Sequence, residues 1–128
     1  MRLLLDTHAL LWWFVDDARL SARVRALIAD EANEILVSAA SAWEVATKHR
    51  LGKLPLAADA YPRFEELVAA DGFSYLSISC RHGLRAGSYP ARHGDPFDRM
   101  LAAQAEIEHL PLVTLDPALA DFPIEILW

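Results

Sequence analysis

Cysteine is nearly missing: Cys80 stands alone among 128 residues, so no internal disulfide can form and an apolar core must carry the fold. A lone thiol agrees with a reducing compartment, and the expected location is the cytoplasm. Long apolar runs are missing too. The stretch from Ala9 to Val15 falls far short of the roughly 20 residues that a membrane-crossing helix needs, so no membrane partner is expected. The opening Met1-Arg2-Leu3-Leu4-Leu5-Asp6 meets an acid too early for a secretory leader and shows no small-residue cleavage site.

Several enzyme classes are excluded by what their chemistry would require. There is no glycine-rich phosphate loop and no nucleophile elbow of the serine-hydrolase kind. His8, His49, His82, His93 and His109 are scattered, and Cys80 has no partner at zinc-ligand spacing. A haloacid-dehalogenase-like phosphatase would place a second Asp two positions after Asp6, where His8 stands. Repeats, low-complexity stretches and linkers are also lacking, so residues 1–128 are expected to form a single domain.

What is present is ordinary for a compact protein: 54% hydrophobic and 23% charged residues. A net charge of −6 speaks against a nucleic-acid partner, because phosphate contacts want Lys and Arg. The total hides a segregation. Lys48, Arg50 and Lys53 lie between Val45 and Ala58 without an acid, and Arg81, Arg85 and Arg92 lie between Gly72 and Gly94 likewise. This permits a basic groove beside an acidic site.

Apolar periodicity gives the element order. Arg2 to Leu5 reads as a first strand, and Ala9, Leu10, Trp13 and Phe14 share one face of the helix after it. Ser21 caps a helix running towards Asp30, with Val24, Leu27 and Ile28 facing inward. Glu34 to Ser38 is a second strand, followed by a helix from Ala39 to Arg50 that stops near Gly52. A helix over Tyr61 to Ala70, a turn at Asp71-Gly72 and a third strand over Ser74 to Ile78 come next. Helical character over Arg81 to Ala86 leads into a loop holding Gly87, Pro90 and Gly94. Asp95-Pro96 opens a helix to about His109. Leu112 to Leu115, a turn at Asp116-Pro117, and Ile124 to Leu127 complete the chain. Strands alternating with helices predict a three-layer α/β/α domain around a parallel sheet of about five strands. Trp12, Trp13 and Trp43 are expected in the core or at an interface rather than as base-stacking platforms. Trp12 and Trp13 cannot both face the core of one amphipathic helix, so one is a candidate for a partner surface.

In such sheets the working site lies beyond the carboxyl ends of the strands, and four acids can reach that edge. Asp6 follows the first strand, Glu44 lies on the helix after the second, Asp98 opens the helix before the fourth, and Asp116 follows the fourth. Each also has a local explanation. Asp6, Asp95 and Asp116 can cap helices. Ser41 and Glu44 have capping-box spacing, and Glu44 can pair with Lys48. Capping does not require four acids at one edge, however. Carboxylates so arrayed repel unless a cation neutralises them, and oxygen-only ligands suit Mg²⁺ or Mn²⁺.

The segments Leu3-Leu4-Leu5-Asp6-Thr7-His8, Ala42-Trp43-Glu44-Val45, Asp95-Pro96-Phe97-Asp98-Arg99-Met100-Leu101-Ala102-Ala103-Gln104-Ala105 and Leu112-Val113-Thr114-Leu115-Asp116 resemble the PIN-domain family, and within it the VapC-like toxins of bacterial toxin–antitoxin pairs. The resemblance implies a Mg²⁺- or Mn²⁺-dependent endoribonuclease whose acids fall on Asp6, Glu44, Asp98 and Asp116. Asp95 competes with Asp98 for the third role, and Asp98 is favoured because Asp95 has a capping position. Thr114 is expected to orient a ligand or a water. The resemblance further implies a VapB-like antitoxin and a homodimer. Lys48, Arg50 and Lys53, with Arg99 beside Asp98, are the expected contacts to the RNA backbone. The rival reading is a non-catalytic PIN-like module that binds RNA or protein. Loss of an acid would mark it, and the set here is complete.

Overall fold

A computed structural model describes residues 1–55, 57–90 and 92–128. Its strands are β1 (Arg2–Leu5), β2 (Glu34–Ser38), β3 (Ser74–Leu76), β4 (Leu112–Val113) and β5 (Ile126–Leu127). They form one parallel sheet in the order β3-β2-β1-β4-β5. The helices are α1 (Thr7–Phe14), α2 (Ala22–Ala29), α3 (Ala39–Arg50), α4 (Phe64–Ala70), α5 (Cys80–Ser88) and α6 (Pro96–Glu108), with 3-10 turns at Ala58–Ala60 and Pro117–Asp121.

The leucine run of β1 shows why three layers form. Alternation sends Leu3 and Leu5 to one face, among Val24, Val45, Phe64 and Val68 from α2, α3 and α4. Leu4 goes to the other face, with Leu36, Leu112 and the Ala86, Leu101, Ala102 and Ala105 of α5 and α6. None of the three leucines is more than 1% exposed. A strand buried on both faces reads as a continuous apolar run rather than an alternating one. Truncating Leu4 to Ala would cost about 2–5 kcal/mol.

Helix ends follow local chemistry. Ser21 Oγ accepts from the Val24 N–H at 3.1 Å. Gly52, at φ +70°, ends α3 in a left-handed turn in which the Lys53 N–H reaches the Lys48 carbonyl at 2.8 Å. A Cβ there would meet nothing, so backbone conformation and not space favours glycine.

Some boundaries differ from those the sequence predicts. β3 stops at Leu76 rather than Ile78, because the Ser77 carbonyl accepts from the Gln104 amide at 3.3 Å and Ser79 already caps α5. β4 stops at Val113 rather than Leu115, and β5 starts at Ile126 rather than Ile124. α5 extends to Ser88 and absorbs Gly87, while α4 begins at Phe64, after the 3-10 turn and Pro62. α3 is capped by Ser38, so Ser41 and Glu44 form no capping box. Trp12 and Trp13 are both half-buried against the core, so neither is turned wholly inward or wholly to solvent.

From β1 the chain steps to β2 on one side and reaches β4 on the other only after α6. The carboxyl ends of β1 and β4 therefore flank the switch point where such sheets place their sites.

Candidate active site

Asp6 leaves β1 and caps α1, its carboxylate accepting from the Ala9 N–H at 2.7 Å. It is 5% exposed, Glu44 on α3 is 4% exposed, and Thr114 after β4 is 2% exposed. The Thr114 hydroxyl accepts from the Asp116 N–H at 3.1 Å and favours the charged form of the Asp6 carboxyl. Asp98 lies in the first turn of α6, half-buried. Asp95 caps that helix, accepting from the Phe97 and Asp98 N–H groups at 2.8 and 3.2 Å. Asp116 caps the last 3-10 turn through the Ala118 N–H at 2.9 Å.

The electrostatics show that these acids feel one another. The Asp98 carboxyl is pushed up to about 7, first by burial and then by Asp95, Asp116, Glu44 and Asp6. Burial also raises the Asp6 carboxyl, Glu44 adds to the effect, and the Thr114 hydroxyl, the Ala9 N–H and His8 oppose it. Five acids from four parts of the chain therefore converge, as the sequence predicts for Asp6, Glu44, Asp98 and Asp116. They do not form a closed cage. Among the described residues, no three Asp, Glu, His or Cys side chains are placed to enclose an ion as they stand. Asp6, Asp95 and Asp116 are engaged at helix ends, and Glu44 is held by Lys48. The fit to a divalent cation rests on the donor chemistry, all carboxylate oxygen, and on an excess of negative charge that Lys48 alone does not cancel.

The predicted backbone contacts separate into two kinds. Lys48 and Lys53 line a cavity of about 310 Å³ with His8, Trp12 and Arg19, and Arg50 is exposed on α3. Arg99 is different. Its guanidinium donates to the carbonyls of Ala86, Gly87, Tyr89, Pro90 and His93 at 2.6–3.3 Å. It fastens the chain between α5 and α6, so the RNA contact expected of Arg99 is corrected to a structural role.

The sequence reading also missed buried supports of the site. Thr7 donates to Ser41 at 2.9 Å, locking α1 to α3 between Asp6 and Glu44. Ser38 at the end of β2 donates to Gln104, which is wholly buried and reaches on to the Ser77 carbonyl. The available signal is a polar residue on the inward stripe of α6, between Leu101 and Ala105.

Comparison with known proteins agrees with this geometry. Ribonuclease VapC16 of Mycobacterium tuberculosis (strain ATCC 25618 / H37Rv) is 43% identical over 58 residues, 45% of this chain and 41% of that protein. The match therefore spans under half of that relative's length. The crystal structure of VapBC2 from Rickettsia felis, bound to a DNA fragment from their promoter, superposes with a TM-score of 0.69 at 14% identity, covering 100% of this chain and 99% of that one. The structure of FitAB bound to an IR36 DNA fragment gives 0.63 at 21% identity, covering 99% and 94%. At such identities the likeness is one of fold. The PIN domain family model matches residues 3–125, a span that holds all five acids, and the chain belongs to the PIN-domain family.

Proposed function

We propose that this chain is a divalent-metal-dependent endoribonuclease, the toxin of a VapBC-type pair, acting in the cytoplasm as a single domain. The observation that carries the reading is the gathering of acids around Asp98, whose carboxyl is pushed up to about 7 first by burial and then by Asp95, Asp116, Glu44 and Asp6. Such crowding costs stability in a site with no use for counter-charge, and it suits one that takes up a cation. The partial identity to a ribonuclease supports RNA as substrate. The fold shared with VapBC2 and FitAB supports a VapB-like antitoxin as partner.

Asp6, Glu44, Asp98 and Asp116 would hold Mg²⁺ or Mn²⁺, with Asp95 the alternative to Asp98. Such an ion supplies hydroxide at neutral pH and offsets the charge of a phosphodiester. The protein's own part is positional. Thr114 favours the charged form of Asp6, and Lys48 pairs with Glu44, leaving the other acids of the cluster, among the described residues, without a basic partner of that kind. Burial and its acidic neighbours let the Asp98 carboxyl hold a proton near neutral pH, and a bound cation would favour its charged form.

Incubating the purified chain with RNA tests this directly. Cleavage should stop in EDTA and return with Mn²⁺ or Mg²⁺, and Asp6→Asn and Asp98→Asn should stay folded while turnover falls by orders of magnitude. Robust cleavage in EDTA would overturn the reading. For the partner, growth arrest on expression should be relieved by the product of the adjacent gene, and the two proteins should co-purify. A homodimer, which the VapC-like resemblance implies, is read by sedimentation.

A further inference from the structure

α3 presents two different faces. Ala40, Ser41, Glu44 and Val45 are its buried side. The helical period gathers Trp43, Thr47 and Arg50 on another side, at spacings of four and three. Trp43 is 57% exposed and so lies outside the core, yet it is not loose. Its indole meets the Phe97 ring edge-on, with centroids 4.6 Å apart and planes at 72°. Phe97 belongs to the first turn of α6. The chain neighbours of the two rings, Glu44 and Asp98, are members of the acidic cluster. A braced aromatic face thus stands at the edge of that cluster. Glu44 is the single acid of α3 and points to the buried side. Arg50 lies on the outer face, about 10 Å further along the helix axis.

We propose that Trp43, braced by Phe97, is the platform on which a base of single-stranded RNA stacks beside the acidic cluster, with Arg50 holding a backbone phosphate farther along α3. The proposal rests on the nuclease reading and names how that site holds its substrate. Every nucleobase has a π-face, so such a platform binds without choosing sequence. A cation on the same face complements the phosphates that flank a stacked base. Continuity with the cluster favours RNA over a protein partner, because a strand whose phosphodiester lies at Asp98 must pass its neighbouring nucleotides across one side of the site.

The test uses the whole chain and a short, end-labelled, single-stranded RNA of mixed sequence. Every binding sample carries Asp98→Asn to spare the RNA. Trp43→Ala should weaken binding about tenfold, Trp43→Phe should retain most of the affinity, and neither should change the slope of affinity against salt. Arg50→Ala should weaken binding and make that slope shallower by about one unit. Tryptophan emission should be quenched on RNA addition, and less so in Trp43→Ala, a readout that a merely structural role would not move. Unchanged affinity and quenching in a folded Trp43→Ala protein overturns the platform. So does conversion of a dimer to a monomer by that substitution, which would give the face to a second copy. If the chain with Asp98 intact cleaves no RNA with Mn²⁺ present, the nuclease reading itself fails. If it cleaves and Trp43→Ala cleaves equally well, only the platform does.

Discussion

Lys48 and Glu44 are bonded to each other one helical turn apart on α3, so the acid that α3 sends into the cluster is met by a cation of its own helix. The Glu44 side chain is 6% exposed and that of Lys48 29%. A buried carboxylate deprived of its partner is expensive, whereas the pair itself adds little. Lys48→Met should therefore destabilise the protein in chelator by about 1–3 kcal/mol, less than for a fully enclosed pair because Lys48 touches solvent. Mn²⁺ should recover much of that loss by meeting the freed carboxylate. Urea denaturation with and without Mn²⁺ measures both, and an equal loss in the two conditions would show that the ion does not reach Glu44.

The crowding around Asp98 predicts a pH dependence of definite sign. Its folded value of about 7 lies above the ordinary 3.8, so the fold favours the protonated carboxyl. The resulting contribution is full below 3.8 and vanishes as pH rises through about 7. In EDTA, the stability difference between wild type and Asp98→Asn should shift against the wild type across that window. Urea midpoints over a pH series read it, and parallel curves for the two proteins would rule out the raised Asp98 carboxyl.

Thr114 receives the Asp116 N–H and favours the charged form of Asp6. Thr114→Val keeps the shape and removes the hydroxyl. Its loss should lower Mn²⁺ affinity or cleavage rate by about 10–100-fold while the far-ultraviolet circular dichroism stays unchanged. Activity equal to wild type would mean that Asp6 needs no such support.

Arg99 should behave as a fastener. A lysine cannot reproduce a planar fork that serves five carbonyls, so Arg99→Lys should lower stability by about 2–3 kcal/mol. It should also open the segment between α5 and α6 to protease. If Arg99→Lys is as stable as wild type but binds RNA more weakly, the guanidinium has the opposite role.

The sequence displayed the parts of this protein whose causes are local. Leu3 to Leu5 and Ile35 to Val37 are apolar without alternation, which is what strands buried on two faces look like, and Asp6, Ser21 and Asp95 carry the chemistry of caps. The acids were legible because each sits just past a strand or at a helix start. The reading of Arg99 failed because a base beside an acid resembles a phosphate contact, while the carbonyls it serves, at the end of α5 and just beyond it, are brought to it by tertiary packing that no local pattern encodes. Ser41 and Glu44 imitate a capping box, but Ser38 starts the helix three residues earlier. Strand ends were read too long at β3, β4 and β5; at β3 a side-chain hydrogen bond from Gln104 takes the Ser77 carbonyl, which apolarity does not reveal.

With β1 between β2 and β4, a chain leaving the ribosome holds half a site for most of its synthesis. Asp6 and Glu44 can come together once Leu4 pairs with Leu36, yet the other edge of β1 stays open until Leu112 and Val113 arrive. Thr114 and Asp116 follow directly on that pairing, and α6 packs its Asp98 turn onto the face which β4 completes. Long-range parallel pairing is also the slowest to close. A product cut short before β4 is therefore an exposed strand edge prone to aggregate, with the acidic cluster still incomplete.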